Sequence, residues 1–138
     1  MKINKTLFYA LNFTWGIIMN IIGAVGAAVV ICLGGKPVRH AGNILIRTGH
    51  DWGGVSLGIF SFVCHESGQH TLDHEFGHSI QNALFGPAFP FIVAIPSAIR
   101  YHKFMNNIKK GIPNEEDYDA AWFEGQATEW GTENAKDW

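Results

Sequence analysis

The order of apolar and polar positions divides this chain into segments of different period. No charge occurs between Lys5 and Lys36, and Phe13 to Leu33 is almost wholly apolar, with Asn12, Thr14 and Asn20 as the polar exceptions nearby. As one helix rising 1.5 Å per residue, that stretch would measure about 31 Å, the thickness of a bilayer's hydrocarbon core. The pattern predicts an N-terminal transmembrane helix, a single-pass anchor occupying residues 1–36. Tyr9 and Trp15 near one end suit an interfacial aromatic belt. Gly23, Gly26, Ala27 and Ala28 supply a small-residue face for packing against another helix. A cleaved signal peptide would have a shorter apolar core, and a buried helix of a soluble domain is the main rival. Lys36, Arg39 and Arg47 after the segment outnumber Lys2 and Lys5 before it, which favours a cytoplasmic side for the rest of the chain.

Past the anchor the period shortens. Asn43 to Arg47 and Val55 to Val63 alternate and carry β-branched and aromatic residues, with His50-Asp51-Trp52-Gly53-Gly54 as a turn between them. Two short antiparallel strands, a small β-hairpin, are the simple expectation. Leu72, Phe76, Ile80 and Ala83 then fall at helical spacing and predict an amphipathic helix over about 70–84. The apolar run Leu84 to Ile99 contains Pro87, Pro90 and Pro96, too many breaks for an ordinary membrane span. A helix from about Pro90, kinked near Pro96 and reaching toward Asn107, is expected there. It lies either in the membrane interface, where Arg100, Tyr101, His102, Lys103, Lys109 and Lys110 would meet headgroups, or buried in support of the neighbouring helix. Asn114 with Glu115, Glu116 and Asp117 reads as a capped, acid-rich helix start, with helix over about 115–133. The predicted class is therefore mainly α with a small β-hairpin, the anchor being followed by one domain at 37–138.

The candidate chemistry sits in the middle helix, at His74-Glu75-Phe76-Gly77-His78. Two histidines four residues apart project from one helix face, about 40° apart around the axis. Their imidazoles can grip one zinc ion, and the glutamate between them can take a proton from a water activated there. Catalytic zinc needs a third protein ligand. The extended pattern with glycine at 81 and histidine at 84 is excluded by Gln81 and Leu84. Downstream, Glu124 is the clearest candidate, because Ala120, Ala121, Ala127, Thr128 and Gly131 surround it at helical spacings. Small neighbours let one helix approach another closely enough for a carboxylate to reach the metal. Glu129, Asp117, Asp119 and His102 remain rivals.

His74-Glu75-Phe76-Gly77-His78 followed by Glu124-x-x-Ala127 resembles the glutamate-type zincins. The nearest pattern is that of membrane zinc endopeptidases related to the prenyl-protein and heat-shock proteases. Closer still is the resemblance to a group of small bacterial membrane proteins of metallopeptidase type. Their ordered features appear here as the N-terminal hydrophobic segment, Trp52-Gly53-Gly54, His74 to Gln81, Gly86-Pro87, Pro96-Ser97 and Glu124 to Gly131. The resemblance implies zinc on His74, His78 and Glu124, Glu75 as general base, and a place at the bacterial cytoplasmic membrane. In zincins an edge strand near the metal binds extended peptide by backbone pairing, which makes Val55, Leu57 and Ile59 the candidate substrate strand. Thr128 stands where the family pattern has an aspartate that orients a histidine ligand.

Composition trims the alternatives. A net charge of −2 and the lack of a long basic run argue against nucleic acid as a partner. Cys32 and Cys64 lie in different predicted elements, so no mutual disulfide is expected. Cys64, His65, Glu66 and His70 form a second group of potential ligands. Thr71 or Ser67 could cap the helix, and with Thr71 as cap His70, four residues before His74, falls outside the regular turns. The expected activity is hydrolysis of a peptide or protein substrate at a membrane, with zinc as Lewis acid and Glu75 carrying the proton from water to the leaving amine. His102 or Tyr118 would serve the oxyanion. Two other readings compete: an inactive zinc-binding membrane protein acting as an interaction or assembly factor, and a soluble helical domain whose histidines are incidental.

Overall fold

The computed structural model describes residues 1–50, 52–114 and 117–138. The chain is mostly helical, with one small four-stranded sheet. Its elements are α1 (Lys5–Asn12), α2 (Ile17–Cys32), β1 (Lys36–His40), β2 (Asn43–Arg47), β3 (Gly54–Leu57), β4 (Phe60–Val63), α3 (Gln69–Phe85), α4 (Ile95–Lys110) and α5 (Trp122–Ala135). A 3-10 turn at Gly86–Ala88 and a π-helical turn at Pro90–Ala94 join α3 to α4.

The N-terminal apolar stretch does not form one long helix. Helix α1 stops at Asn12, and α2 leaves at 85° to it. Asn12 is the reason for the break. Its side chain donates to the carbonyls of Phe8 and Ser79, its side-chain oxygen accepts from Asn82, and its own carbonyl accepts from Asn20. That capture removes a carbonyl from the helical ladder and ties the bend to α3. The remainder, α2, has 16 residues, about 24 Å of helix. Among the described residues no single helix is long and apolar enough to cross a membrane, so the expected transmembrane helix at Phe13 to Leu33 is unsupported. The polar residues that look out of place in a membrane span are core residues: Asn12 and Asn20 are buried.

The predicted hairpin is also corrected. Val55 to Val63 is not one strand, because Gly58 adopts φ +71° and turns the chain. The result is β3 and β4, paired antiparallel with Ser56 opposite Ser61. Strand β4 then pairs parallel to β2, with Ile46 opposite Phe62, and β1 closes the other side, giving the order β1-β2-β4-β3. Ile46 and Phe62 meet Ala27 of α2 on one face, and Leu45 and Val63 meet Leu72 of α3 on the other. The molecule thus layers as α2, sheet, α3 and α5. Helix α1 completes the core, where Phe8 lies against Phe76 and Trp138.

The expected metal helix at about 70–84 is α3, which begins at Gln69 after Gly68; neither Ser67 nor Thr71 caps it, and His70 lies within its first turn. The ligand helix starts later than expected. Asp117 and Ala121 are extended, Tyr118–Ala120 is a 3-10 turn, and α5 begins at Trp122; Glu115, Glu116 and Asp51 lie outside the described residues. Pro96 occupies the first turn of α4 rather than kinking it, so the irregularity falls at Pro90–Ala94 instead.

Helices α3 and α5 touch backbone to backbone. A Cβ at Gly77 would stand 1.8 Å from the Ala127 carbonyl oxygen, and one at Gly131 would stand 1.7 Å from that of Asp73. Neither backbone can yield locally, so Gly77→Ala is expected to cost roughly 3 kcal/mol. Gly68→Ala, whose Cβ meets nothing within 4 Å, is expected to cost under about 1 kcal/mol. Urea unfolding of the two variants checks the contrast.

Candidate metal centre

The close α3–α5 contact brings His74 and His78 to Glu124. Both Nε2 atoms lie 3.1 Å from Glu124 Oε2, and the three prospective ligand atoms are within 4.8 Å of one another. His74, His78 and Glu124 are all buried. Among the described residues they are the one such group of three. Of the rivals, Glu129 and Asp117 are exposed, Asp119 is engaged elsewhere, and His102 lies on the exposed side of α4 at the cavity rim.

Each histidine is held by its other ring nitrogen. Gln81 donates its amide hydrogens to the Phe123 carbonyl and to Gln126, so its oxygen, 2.8 Å from His78 Nδ1, must accept from that ring. Thr128 donates to Asp119 Oδ2 at 2.9 Å, so its hydroxyl oxygen accepts from His74 Nδ1 at 2.8 Å. With Nδ1 donating in both rings, each Nε2 is the nitrogen that faces Glu124, and loss of its proton would present its lone pair to a cation. Thr128 therefore orients His74 and is itself held by Asp119, a carboxylate five residues before Glu124. Gln81 and Asp119 were not singled out for these roles by sequence reasoning. Gln81 lies one turn beyond His78 on the same helix, and that spacing was the available signal.

The electrostatics describe a site built for positive charge. Burial pushes the Glu75 carboxyl above the ordinary carboxylate range, against the pull of the two histidines. Burial also works against the charge of Glu124, yet hydrogen bonds from His74 and His78 outweigh it and hold that carboxyl well below its ordinary value. For His78, burial disfavours the imidazolium, but Glu124 and Glu75 win and raise it. Two carboxylate oxygens remain buried without a partner, Glu75 Oε2 and Glu124 Oε1. Such orphaned atoms are costly, and a cation with its water would satisfy both. Two imidazole nitrogens and one carboxylate oxygen, with space for a fourth ligand, are a donor set that catalytic zinc uses. The residues present thus fit a metal ion.

The site opens into a cavity of about 790 Å³ whose floor is α3 at His74, Glu75 and His78. Edge strand β3 forms one wall, and the π-helical turn with α4 forms the other. Gly54 makes room for Glu75: a Cβ at Gly54 would stand 2.6 Å from Glu75 Oε1. Val55 and Leu57 of β3 line the cavity, whereas Ile59 sits in the core with its N–H bonded to Asn20. Ile59 is therefore removed from the candidate substrate strand. Tyr118 faces the ligand histidines, its ring 6.3 Å from that of His74 and its carbonyl held by Arg100. Burial pushes its phenol upward, with Glu124 adding to the shift, so it is a neutral hydrogen-bond donor. His70 is 71 % exposed, with its Nε2 3.8 Å from Asp119, outside the ligand group. Cys64 bonds Ser67 and does not join the metal centre. No family model, no curated protein and no solved structure matches this chain.

Thr128→Val is expected to weaken metal affinity by roughly 10- to 100-fold, with Thr128→Ser restoring it; titration calorimetry reads both. Because Glu124 and Glu75 raise the His78 imidazole above its ordinary pKa, a proton competes with the metal for that ring, and affinity is expected to fall as pH drops. Calorimetry in buffers of different ionisation enthalpy is expected to show proton release.

Proposed function

We propose that the protein is a zinc-dependent peptidase of the glutamate-ligand type. The observation that carries this reading is Glu75: its carboxylate reaches the floor of the cavity beside the His74–His78–Glu124 group with one oxygen unpartnered. A metal-binding group alone needs no such base. Zinc bound there would supply Lewis acidity, polarising a scissile carbonyl and making water acidic enough to ionise near neutral pH.

The chain's own residues account for the remaining work. Glu75 takes the proton of the attacking water and returns it to the leaving amine. Its raised pKa suits both halves of that transfer, since a carboxyl nearer neutrality holds the proton between steps. Tyr118, neutral and adjacent to Glu124, donates a hydrogen bond to the developing oxyanion. The outer edge of β3 offers backbone groups to an extended peptide laid along the cavity. His102, at the exposed rim, is less suited to the oxyanion role than Tyr118.

Glu75→Gln is expected to retain zinc while lowering peptide cleavage about 100- to 10,000-fold. Tyr118→Phe is expected to lower kcat about 100-fold with little change in KM. Cleavage of a peptide library by the purified full chain, abolished by chelator, measures both. Stoichiometric zinc with no cleavage of any peptide would favour the interaction-factor reading instead.

A further inference from the structure

Helix α2 is apolar almost all round, and its larger β-branched residues face outward. It buries Met19, Asn20, Gly23 and Ala27, while Ile18, Ile21, Ile22, Val25 and Val29 are between 49 % and 61 % exposed. A helix wetted on its outer side would rotate to hide its isoleucines. Rotation is blocked here, because the Asn20 amide bonds the Asn12 carbonyl and the Ile59 N–H, each at 2.8 Å. A Cβ at Gly23 would stand 2.1 Å from the Leu57 carbonyl oxygen, so that face must be the inner one. A second uncovered apolar face lies in the segment 91–99, where Phe91, Ile92, Ile95 and Ile99 are 40 % to 74 % exposed. The two faces flank one contact, in which Met19 of α2 packs with Phe89 and Val93.

Charge identifies the surface that covers these faces. Residues 1–50 and 76–114, which carry them, hold nine of the ten lysines and arginines and none of the twelve aspartates and glutamates. Along α4 the row Ile95, Ile99, Lys103 and Lys110 stays on one side of the helix, passing from apolar to basic. The face of α2 ends at Leu33, three residues before Lys36. An apolar patch fringed with lysine matches the boundary between hydrocarbon and anionic headgroups. A second copy of the chain would bring like charges together at the same place.

We propose that the outer faces of α2 and of segment 91–99 dock into one leaflet of an anionic lipid bilayer, so that the chain lies on the membrane and does not cross it. This stands independently of the peptidase reading. The test uses the full chain with vesicles of phosphatidylglycerol and phosphatidylcholine, against phosphatidylcholine alone. Flotation is expected with the anionic vesicles. Replacing Lys103, Lys109 and Lys110 together by Gln is expected to weaken it roughly a hundredfold. Ile21→Asn combined with Val25→Asn and Phe91→Asn is expected to abolish it, with circular dichroism unchanged. Cysteines placed at Lys5→Cys or Lys36→Cys, in a Cys32→Ala background, are expected to react equally with an impermeant maleimide added outside. Protection of one but not the other would mean a spanning segment and overturn the proposal. So would failure to bind vesicles together with concentration-dependent self-association in lipid-free buffer, or vesicle binding indifferent to the apolar replacements.

Discussion

Everything distinctive about this molecule depends on two helices meeting at backbone distance. At Gly77 and Gly131, α3 and α5 approach so closely that no side chain fits between them. Only that approach lets a short glutamate on α5 reach both histidines of α3 with a single oxygen. The same contact places Thr128 against His74, and Gln81 against the first turn of α5 at the Phe123 carbonyl. The site is thus a property of an interface and not of the five-residue motif alone. Moving α5 outward by the width of a methyl group would part Glu124 from both histidines, break the Thr128 hydrogen bond to His74 and release Gln81 from the Phe123 carbonyl.

The buried charges explain why the centre is tightly organised. Burying Glu75 and Glu124 in one small volume is unfavourable unless positive charge accompanies them. The two imidazoles supply part of it, which is why the Glu124 carboxyl is drawn below its ordinary value and the His78 imidazole is raised. Glu75 has no such hydrogen-bonding partner on its free oxygen, and its carboxyl rises accordingly. One carboxylate is therefore engaged by both histidines and the other keeps an oxygen without a partner. The two glutamates thus sit in divergent environments, Glu75 on the cavity floor and Glu124 fully buried behind the histidines.

Much of the metal centre is legible in the sequence, because its signal is local. The histidine spacing on α3 and the small residues Ala127 and Gly131 around Glu124 are helix-periodic, and both point to the group that the fold assembles. The turn at Gly58 is harder to read, since a single glycine in an alternating run decides between one strand and two. Parallel pairing of β2 with β4 is a long-range event with no local signature. The break at Asn12 escapes a sequence reading for a different reason. Its side chain ends the helix through partners at Ser79 and Asn82, and without them Asn12 looks like a minor blemish in a membrane span. Asp119 acts on His74 only through Thr128, and that relay exists only once α5 has been laid on α3.

X-ray absorption at the zinc edge of the metal-loaded full chain addresses the centre most directly. Two imidazole nitrogens and a carboxylate oxygen at about 2.0–2.2 Å, with the oxygen contribution reduced in Glu124→Ala, are the expected first shell. A shell containing sulfur, or one without imidazole and unchanged by Glu124→Ala, would contradict the assignment of His74, His78 and Glu124 as the ligands.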